Sequence, residues 1–171
     1  MTSTLPENKD FKFSYQHAVD VGTVGETGEV EWQRVRFIDA VNPQVSPVTV
    51  PAQTYEDKGS PNDIKTGESW TLSFNAQQIM VGGNWLPEIA ILMAATEPDA
   101  NGDVATVPVR WYDNPDGARA VFEDDAYSGV ATVSVVRGQT GADGQVEQLQ
   151  FTLTGKGRRA KIAHPEAEAG A

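Results

Sequence analysis

The feature that most limits what this chain can become is an alternation of apolar and polar residues, period two, that recurs along most of its length. In FKFSYQHAVDV, residues 11–21, Phe11, Phe13, Tyr15, His17, Val19 and Val21 share one parity, while Lys12, Ser14, Gln16 and Asp20 share the other. A period of two is that of a strand with one face buried, and it is incompatible with a helical stripe. VEWQRVRFI, PVTVPAQTY, ESWTLSFNAQQ, VATVPVRWY, ARAVF, SGVATVSVV and VEQLQFTLTG read as further strands. Trp70, Leu72, Phe74 and Ala76 are expected to face a core, with Ser69, Thr71, Ser73 and Asn75 outward. Near the end, Leu149, Phe151 and Leu153 point one way and Gln148, Gln150, Thr152 and Thr154 the other. The prolines of PVTVPAQTY cannot donate to a ladder, so that strand is expected at a sheet edge.

One segment breaks the rhythm. NWLPEIAILMAAT has Pro87 suited to a first helical turn, Glu88 near the positive end of the dipole, and a dense apolar series after it. The expected fold is therefore mainly β, a β-sandwich or partly closed barrel of roughly eight strands with one short flanking α-helix. A length of 171 residues supports one hydrophobic core. Residues 1–157 are expected to form that domain, with a long loop at 55–67. Residues 158–171, basic and then Ala/Glu-rich, are expected to form a C-terminal tail and not a separate domain.

Composition removes several function classes. The net charge is -11, and Lys156, Arg158, Arg159 and Lys161 concentrate basic charge near the end, so the preceding body is more acidic still. Such a body repels phosphate backbones. The absence of cysteine excludes disulfides and thiolate chemistry. IAILMAA is too short to span a bilayer and the amino end lacks a signal-peptide profile, so a soluble chain made in the cytoplasm, with no membrane partner, is expected. No Walker loop, GxSxG elbow, HExxH or CxxC pair is present. His17 reads as a packed or interface histidine and His164 lies in the tail. DANGD (99–103) and EDD (123–125) read as turns in preference to cation sites. No catalytic residue, metal site or cofactor is expected, and the chain is expected not to be an enzyme. Among the tryptophans, Trp70 and Trp85 read as core, while Trp32 and Trp111 are open, and a carbohydrate-binding β-sandwich is the alternative they raise.

Between two strand-like segments stands YEDKGSPNDIKTGESWTLSF, residues 55–74, a polar excursion punctuated by glycine and proline. Connections of this length in compact domains are usually functional or disordered. The order of features, with Trp32 on an early strand, TYEDKGSPNDIKTGESW, a helix after GNWLPEI, VRWYDNPDGARAVFEDDAYSGVATVSV, and a closing LQFTLTGKG, resembles the major tail tube proteins of long-tailed, siphovirus-type bacteriophages over about residues 11–157. That resemblance implies a structural virion protein, located in the phage tail and assembled in the host cytoplasm. It implies self-assembly into stacked hexameric rings, with the tape measure protein inside, tail terminator and distal tail or baseplate proteins at the ends, and DNA passing without specific binding. A same-fold tail terminator or injection-system tube is a further alternative. Under the resemblance, Tyr55, Glu56, Asp57, Lys58, Gly59, Pro61, Asp63, Lys65 and Gly67 belong to an inter-subunit arm. Glu31, Glu68 and Glu147 are lumen-facing candidates within an acidic, Ser/Thr/Gln-lined wall. Independently of the resemblance, Lys156, Arg158, Arg159 and Lys161 read as a solubilising tail or as tail contacts to an acidic neighbour subunit.

Overall fold

The computed structural model describes residues 9–117 and 119–168. Its elements are β1 (His17–Val24), β2 (Val30–Arg34), β3 (Ile38–Pro51), β4 (Asp63–Gln77), a small hairpin of β5 (Met80–Val81) and β6 (Asn84–Trp85), helix α1 (Pro87–Ala94), β7 (Thr106–Asp113), β8 (Ala126–Gly138), β9 (Gln148–Gly155), β10 (Ala160–Lys161) and a single helical turn, α2 (Pro165–Glu168). An 8-stranded antiparallel sheet runs in the order β2-β1-β7-β8-β9-β4-β3, with β10 added on β8. The mainly-β architecture with a flanking helix is the one the alternation predicts. The sheet is not closed into a barrel.

The sheet is nevertheless strongly curled, and the chain's own connectivity requires it. Laid flat, the seven-strand path from β2 to β3 would separate those strands by about 29 Å. Only three residues link Arg34 to Ile38, a reach of about 14 Å. The sheet must therefore bring its two edges together. The link spans the seam by backbone bonds, Val35 N–H donating to Val19 O at 2.9 Å and Gln77 N–H to Phe37 O at 3.0 Å.

Curling creates one interior. Val19 and Val21 of β1, Trp70, Leu72 and Phe74 of β4, Val109 and Trp111 of β7, and Leu149, Phe151 and Leu153 of β9 form a single buried cluster with Ile89 and Leu92 of α1. Each such side chain contributes about 1.5–3 kcal/mol of burial. Pro87 opens α1, and the buried Glu88 next to it receives Arg36 of the seam, Nε to Oε1 at 2.8 Å. Burial alone would raise the Glu88 carboxyl, but the Arg36 guanidinium outweighs it and holds the group below its usual range. Helix and seam are thereby fastened together.

Four expectations need correction. Strand β1 begins at His17, so Phe11, Phe13 and Tyr15 do not reach the core and stand exposed. The chain turns before it, with Gln16 N–H on Phe13 O and the Gln16 side chain receiving Phe13 N–H. ARAVF is not a strand. Among its described residues, Arg119 and the Phe122 N–H are drawn onto the buried Asp113 carboxylate instead of a ladder. Residues 63–67 are strand and not loop, since they pair with residues 48–51 across a bulge between Val48 and Thr49. The tail is in part docked: β10 pairs with β8, and His164 is buried against Tyr112 with Nε2 at 2.7 Å from Asp113 O. The residues beyond Glu168 lie outside the described ones.

Candidate assembly surfaces: the hairpin arm and the polar sheet face

Strands β3 and β4 are far longer than their neighbours require. β9 pairs with β4 only over Thr71–Gln77, so residues 45–70 continue as a two-stranded ribbon paired from Val45↔Trp70 to Pro51↔Asp63. β3 is an edge strand, as its prolines imply, and Pro43, Pro47 and Pro51 remove N–H donors that could otherwise template further pairing. Val48 and Val50 are two apart on β3, and Ile64 faces Val50 across the ladder. These β-branched side chains suit a strand, yet they are 47%, 45% and 55% exposed. No described residue covers them.

The tip is ordered by short-range bonds. Thr54 and Asp57 form a capping box around the turn Tyr55–Asp57, Asn62 Nδ2 donates to Asp57, and Ala52 N–H closes on Asn62 O at 2.8 Å. The Thr54 N–H, with Asn62, holds the Asp57 carboxyl below its usual range. Lys58 (φ 51°) and Gly59 (φ 85°) take left-handed backbone that turns the chain back. Tyr55 is 100% exposed on this prearranged turn.

Trp70 holds the ribbon's base. Its indole lies flat over Gly129 of β8 and Gly155 of β9, positions where a Cβ would overlap the ring, and Nε1 donates to Gly157 O at 3.0 Å. Beside it Glu68 accepts Arg159 Nε at 3.0 Å, with Lys65 Nζ at 3.8 Å.

The sheet face opposite the core carries a second pattern. Cross-strand registers align Gln44, Thr71, Thr154, Thr132 and Thr106 in one row, and Asn42, Ser73, Thr152 and Ser134 in the next. Asp39, Asn75, Gln150 and Val136 make a third. Across β3, β4, β9 and β8 this face is hydroxyl and amide with scarcely a charge.

The acidic candidates are not on it. Glu31 is exposed on β2, Glu68 sits at the ribbon's base, and Glu147 precedes β9, half-buried and 3.1 Å from Arg137. The basic candidates pair within their own chain: Lys156 with Asp103 at 2.5 Å, Arg159 with Glu68, and Lys161 with Asp124 at 2.8 Å. Hydrogen bonding and charge from Lys156 and Lys161 lower Asp103 and Asp124 respectively. Arg158 makes no ion pair among the described residues.

Sequence reasoning missed a polar cluster on the outer side of β1 and β7. Asp20, 3% exposed, accepts Arg34 Nε at 2.8 Å, Arg110 Nε at 2.7 Å and Tyr112 OH at 3.0 Å. Arg110 also covers the Trp32 ring, and Glu166 from the carboxyl-terminal segment reaches Arg34 at 3.3 Å. Burial and the Asp20 charge push the Tyr112 hydroxyl up to about 12. The signal was the lone aspartate in HAVDV, on the parity opposite the core. Trp70 and Trp111 are buried, which removes them from any sugar-stacking surface. No group of three or more His, Cys, Asp or Glu placed to hold a metal occurs among the described residues.

No protein-family model and no curated protein sequence matches the chain. Its fold is shared with solved structures. A chain from the tail of an empty GTA particle, computed with helical refinement and C6 symmetry, aligns at a TM-score of 0.62 and 9% identity, over 90% of this chain and 100% of that one. A chain of the PVC sheath-tube complex, an extracellular contractile injection system in its extended state, aligns at 0.55 and 12% identity, over 90% of this chain and 92% of that one. The cap of the anti-feeding prophage, described as the AFP tube terminating cap, aligns at 0.53 and 12% identity, over 96% and 99%. At such identities the likeness is one of fold.

Proposed function

We propose that this chain is a structural subunit of a phage-type tail tube, which self-assembles into hexameric rings that stack into a hollow conduit. The observation that carries the reading is the long β3–β4 ribbon, prearranged at its tip and exposed along its aliphatic face. A β-branched apolar face left open on a rigid hairpin is a surface awaiting a partner. The fold it projects from is the one found in a tail with C6 symmetry and in an injection-system sheath-tube complex.

The polar rows suit the inner wall. Hydroxyls and amides stay wetted and give phosphates no cation to bind, while the net charge of -11 disfavours adsorption of DNA to the subunit generally. In this reading the rows on β3, β4, β9 and β8 line the lumen, the tape measure protein occupies it during assembly, and DNA passes through it at infection. The lumen is neutral and polar, and Glu68 and Glu147 serve the subunit's own ion pairs. A siphovirus-type tail, with terminator and baseplate proteins at its ends, is the setting. The likeness to a tube terminating cap favours one second reading, a terminator that forms a single ring and stops.

The experiment is to replace residues 53–61 with a two-residue hairpin turn and compare sedimentation with the parent chain. Retained secondary structure with loss of large assemblies supports the reading. Assemblies of unchanged size and yield refute the arm's role.

A further inference from the structure

We infer that the β1–β2 turn of one copy, with Glu26, Glu29 and Glu31, docks on a basic hollow formed by Lys65 and Arg158 at the ribbon base of a second copy. This rests on the tube-subunit reading and names a contact that joins its copies. The hollow has a cavity of about 570 Å³, lined by Lys65, Thr66, Gly67, Glu68, Gly157 and Arg158.

Charge selects the occupant. Around the hollow, Lys65, Arg158 and Arg159 outnumber Glu68 and Asp63, so the patch is net positive in a chain whose net charge is -11. Glu68 is taken by Arg159 Nε at 3.0 Å, with Lys65 Nζ farther off at 3.8 Å. Arg158 is exposed and makes no ion pair among the described residues. Lys156 and Lys161 are held by Asp103 and Asp124, which leaves Lys65 and Arg158 as the cations on offer.

The β1–β2 turn has the opposite character. Between Val21 and Gln33 the chain carries Glu26, Glu29 and Glu31 and no lysine or arginine. All three are exposed, and none makes an ion pair among the described residues. Other acidic stretches lack this combination. Glu56 and Asp57 have Lys58 beside them, Asp103, Asp124 and Asp125 are taken by Lys156, Lys161 and Lys12, and Glu97 and Asp99 lie on the coil after α1. The turn's backbone is prearranged, Gly25 N–H donating to Glu29 O at 2.8 Å and Gly28 N–H to Gly25 O at 3.0 Å, with Gly28 at φ 82°. A rigid hairpin that presents carboxylates alone meets a basic hollow with register set by charge and little freedom left to lose.

Placement makes the contact one between copies. Thr106, Thr132, Thr154 and Thr71 share a row, and the β1–β7 register, continued from Val21↔Val109, sets Val24 level with it. The turn lies beyond that row, where β1 ends. Lys65 and Arg158 lie on its other side, since β4 reaches Thr71 from Lys65 and the chain passes Thr154 before Arg158. Complementary patches at opposite ends of one molecule meet head to tail, and such heterologous contacts generate closed rings or open stacks.

The test is a charge exchange read by sedimentation across a concentration series. A hollow variant, Lys65→Glu/Arg158→Glu, and a turn variant, Glu26→Lys/Glu29→Lys, are compared with the parent and with the variant that combines all four substitutions. All four positions are exposed, and circular dichroism verifies the folds. Each partial variant sets like charges against each other, so the concentration at which assemblies appear should rise about tenfold or more. The two shift net charge in opposite directions, so a general charge effect cannot weaken both. The combined variant should return to within about threefold of the parent. Partial variants that assemble like the parent, or a combined variant that stays impaired, overturn the pairing and leave the tube reading intact. Impairment by the hollow variant alone overturns the turn as the occupant. A parent chain that remains monomeric at every concentration overturns the tube reading and this contact with it.

Discussion

Replacing Gly155 by alanine probes the joint between ribbon and body. The new methyl would stand 2.6 Å from Trp70 Cδ2, with two further ring atoms nearer still, and Gly129 lies under the same ring, its own Cβ position overlapping Cζ2. The indole cannot slide without leaving Gly157 O, its acceptor at 3.0 Å, and disturbing Trp111, whose ring centroid is 5.1 Å away. Overpacking costs about 1–3 kcal/mol and a buried donor left unpaired about 1–3 kcal/mol. Because displacement relieves part of the first at the expense of the second, we expect a net loss of about 2–4 kcal/mol. Urea unfolding followed by tryptophan fluorescence reads it as a lower midpoint at unchanged slope, and with a slope of about 2 kcal/mol per molar the midpoint falls by about 1–2 M. Trp70→Phe in the same background removes the overlap and should recover part of the loss. A Gly155→Ala midpoint within experimental error of the parent would refute the claim that the Trp70 slot fixes the ribbon.

Three further outcomes follow from named contacts. Lysine substitutions at Ser73, Thr152 and Ser134 should leave unfolding midpoints nearly unchanged while making isolated tubes bind DNA in a salt-dependent way, and an absence of binding would remove those rows from the lumen. Glu68→Lys should weaken both fold and assembly, because Arg159 loses its partner, whereas Glu31→Lys on exposed β2 should leave stability unaltered; equal effects in urea titrations would contradict the assignment. Burial alone would raise Asp113, but Arg119, the Phe122 N–H and Lys12 outweigh it and hold the carboxyl far below the ordinary range. A depressed carboxylate contributes stability above its unfolded value near 4 and loses it as pH falls further. Midpoints should therefore drop below about pH 4, and Arg119→Gln should lower stability at neutral pH while flattening that acid limb; an unchanged limb would mean that another carboxylate controls it.

Much of the architecture was legible because a period of two leaves little choice. Trp70, Leu72, Phe74, Leu149, Phe151 and Leu153 all face the core as their parity demands. Pro87 marked the first residue of α1, and the prolines of β3 marked an edge. The alternation misled where a side chain captured the backbone. Phe11, Phe13 and Tyr15 keep the right parity, but Gln16 bends the chain before it can join β1. The excursion at 55–67 was visible, yet its last third is strand, because pairing across the bulge outweighs the glycine and proline signals that mark a loop. The acidic candidates were chosen by charge, and charge in one sequence does not reveal the partner that neutralises it. Glu68 and Glu147 answer arginines 91 and 10 residues away. The rows of threonine, serine and amide were present as outward parity on each strand, but their alignment needed the strand order.

Negative-stain electron microscopy of the purified chain across a concentration series, with sizing chromatography alongside, tests the central claim most directly. The account predicts rings of six that stack into hollow tubes as concentration rises. A protein that remains monomeric in both measurements at every concentration would contradict it.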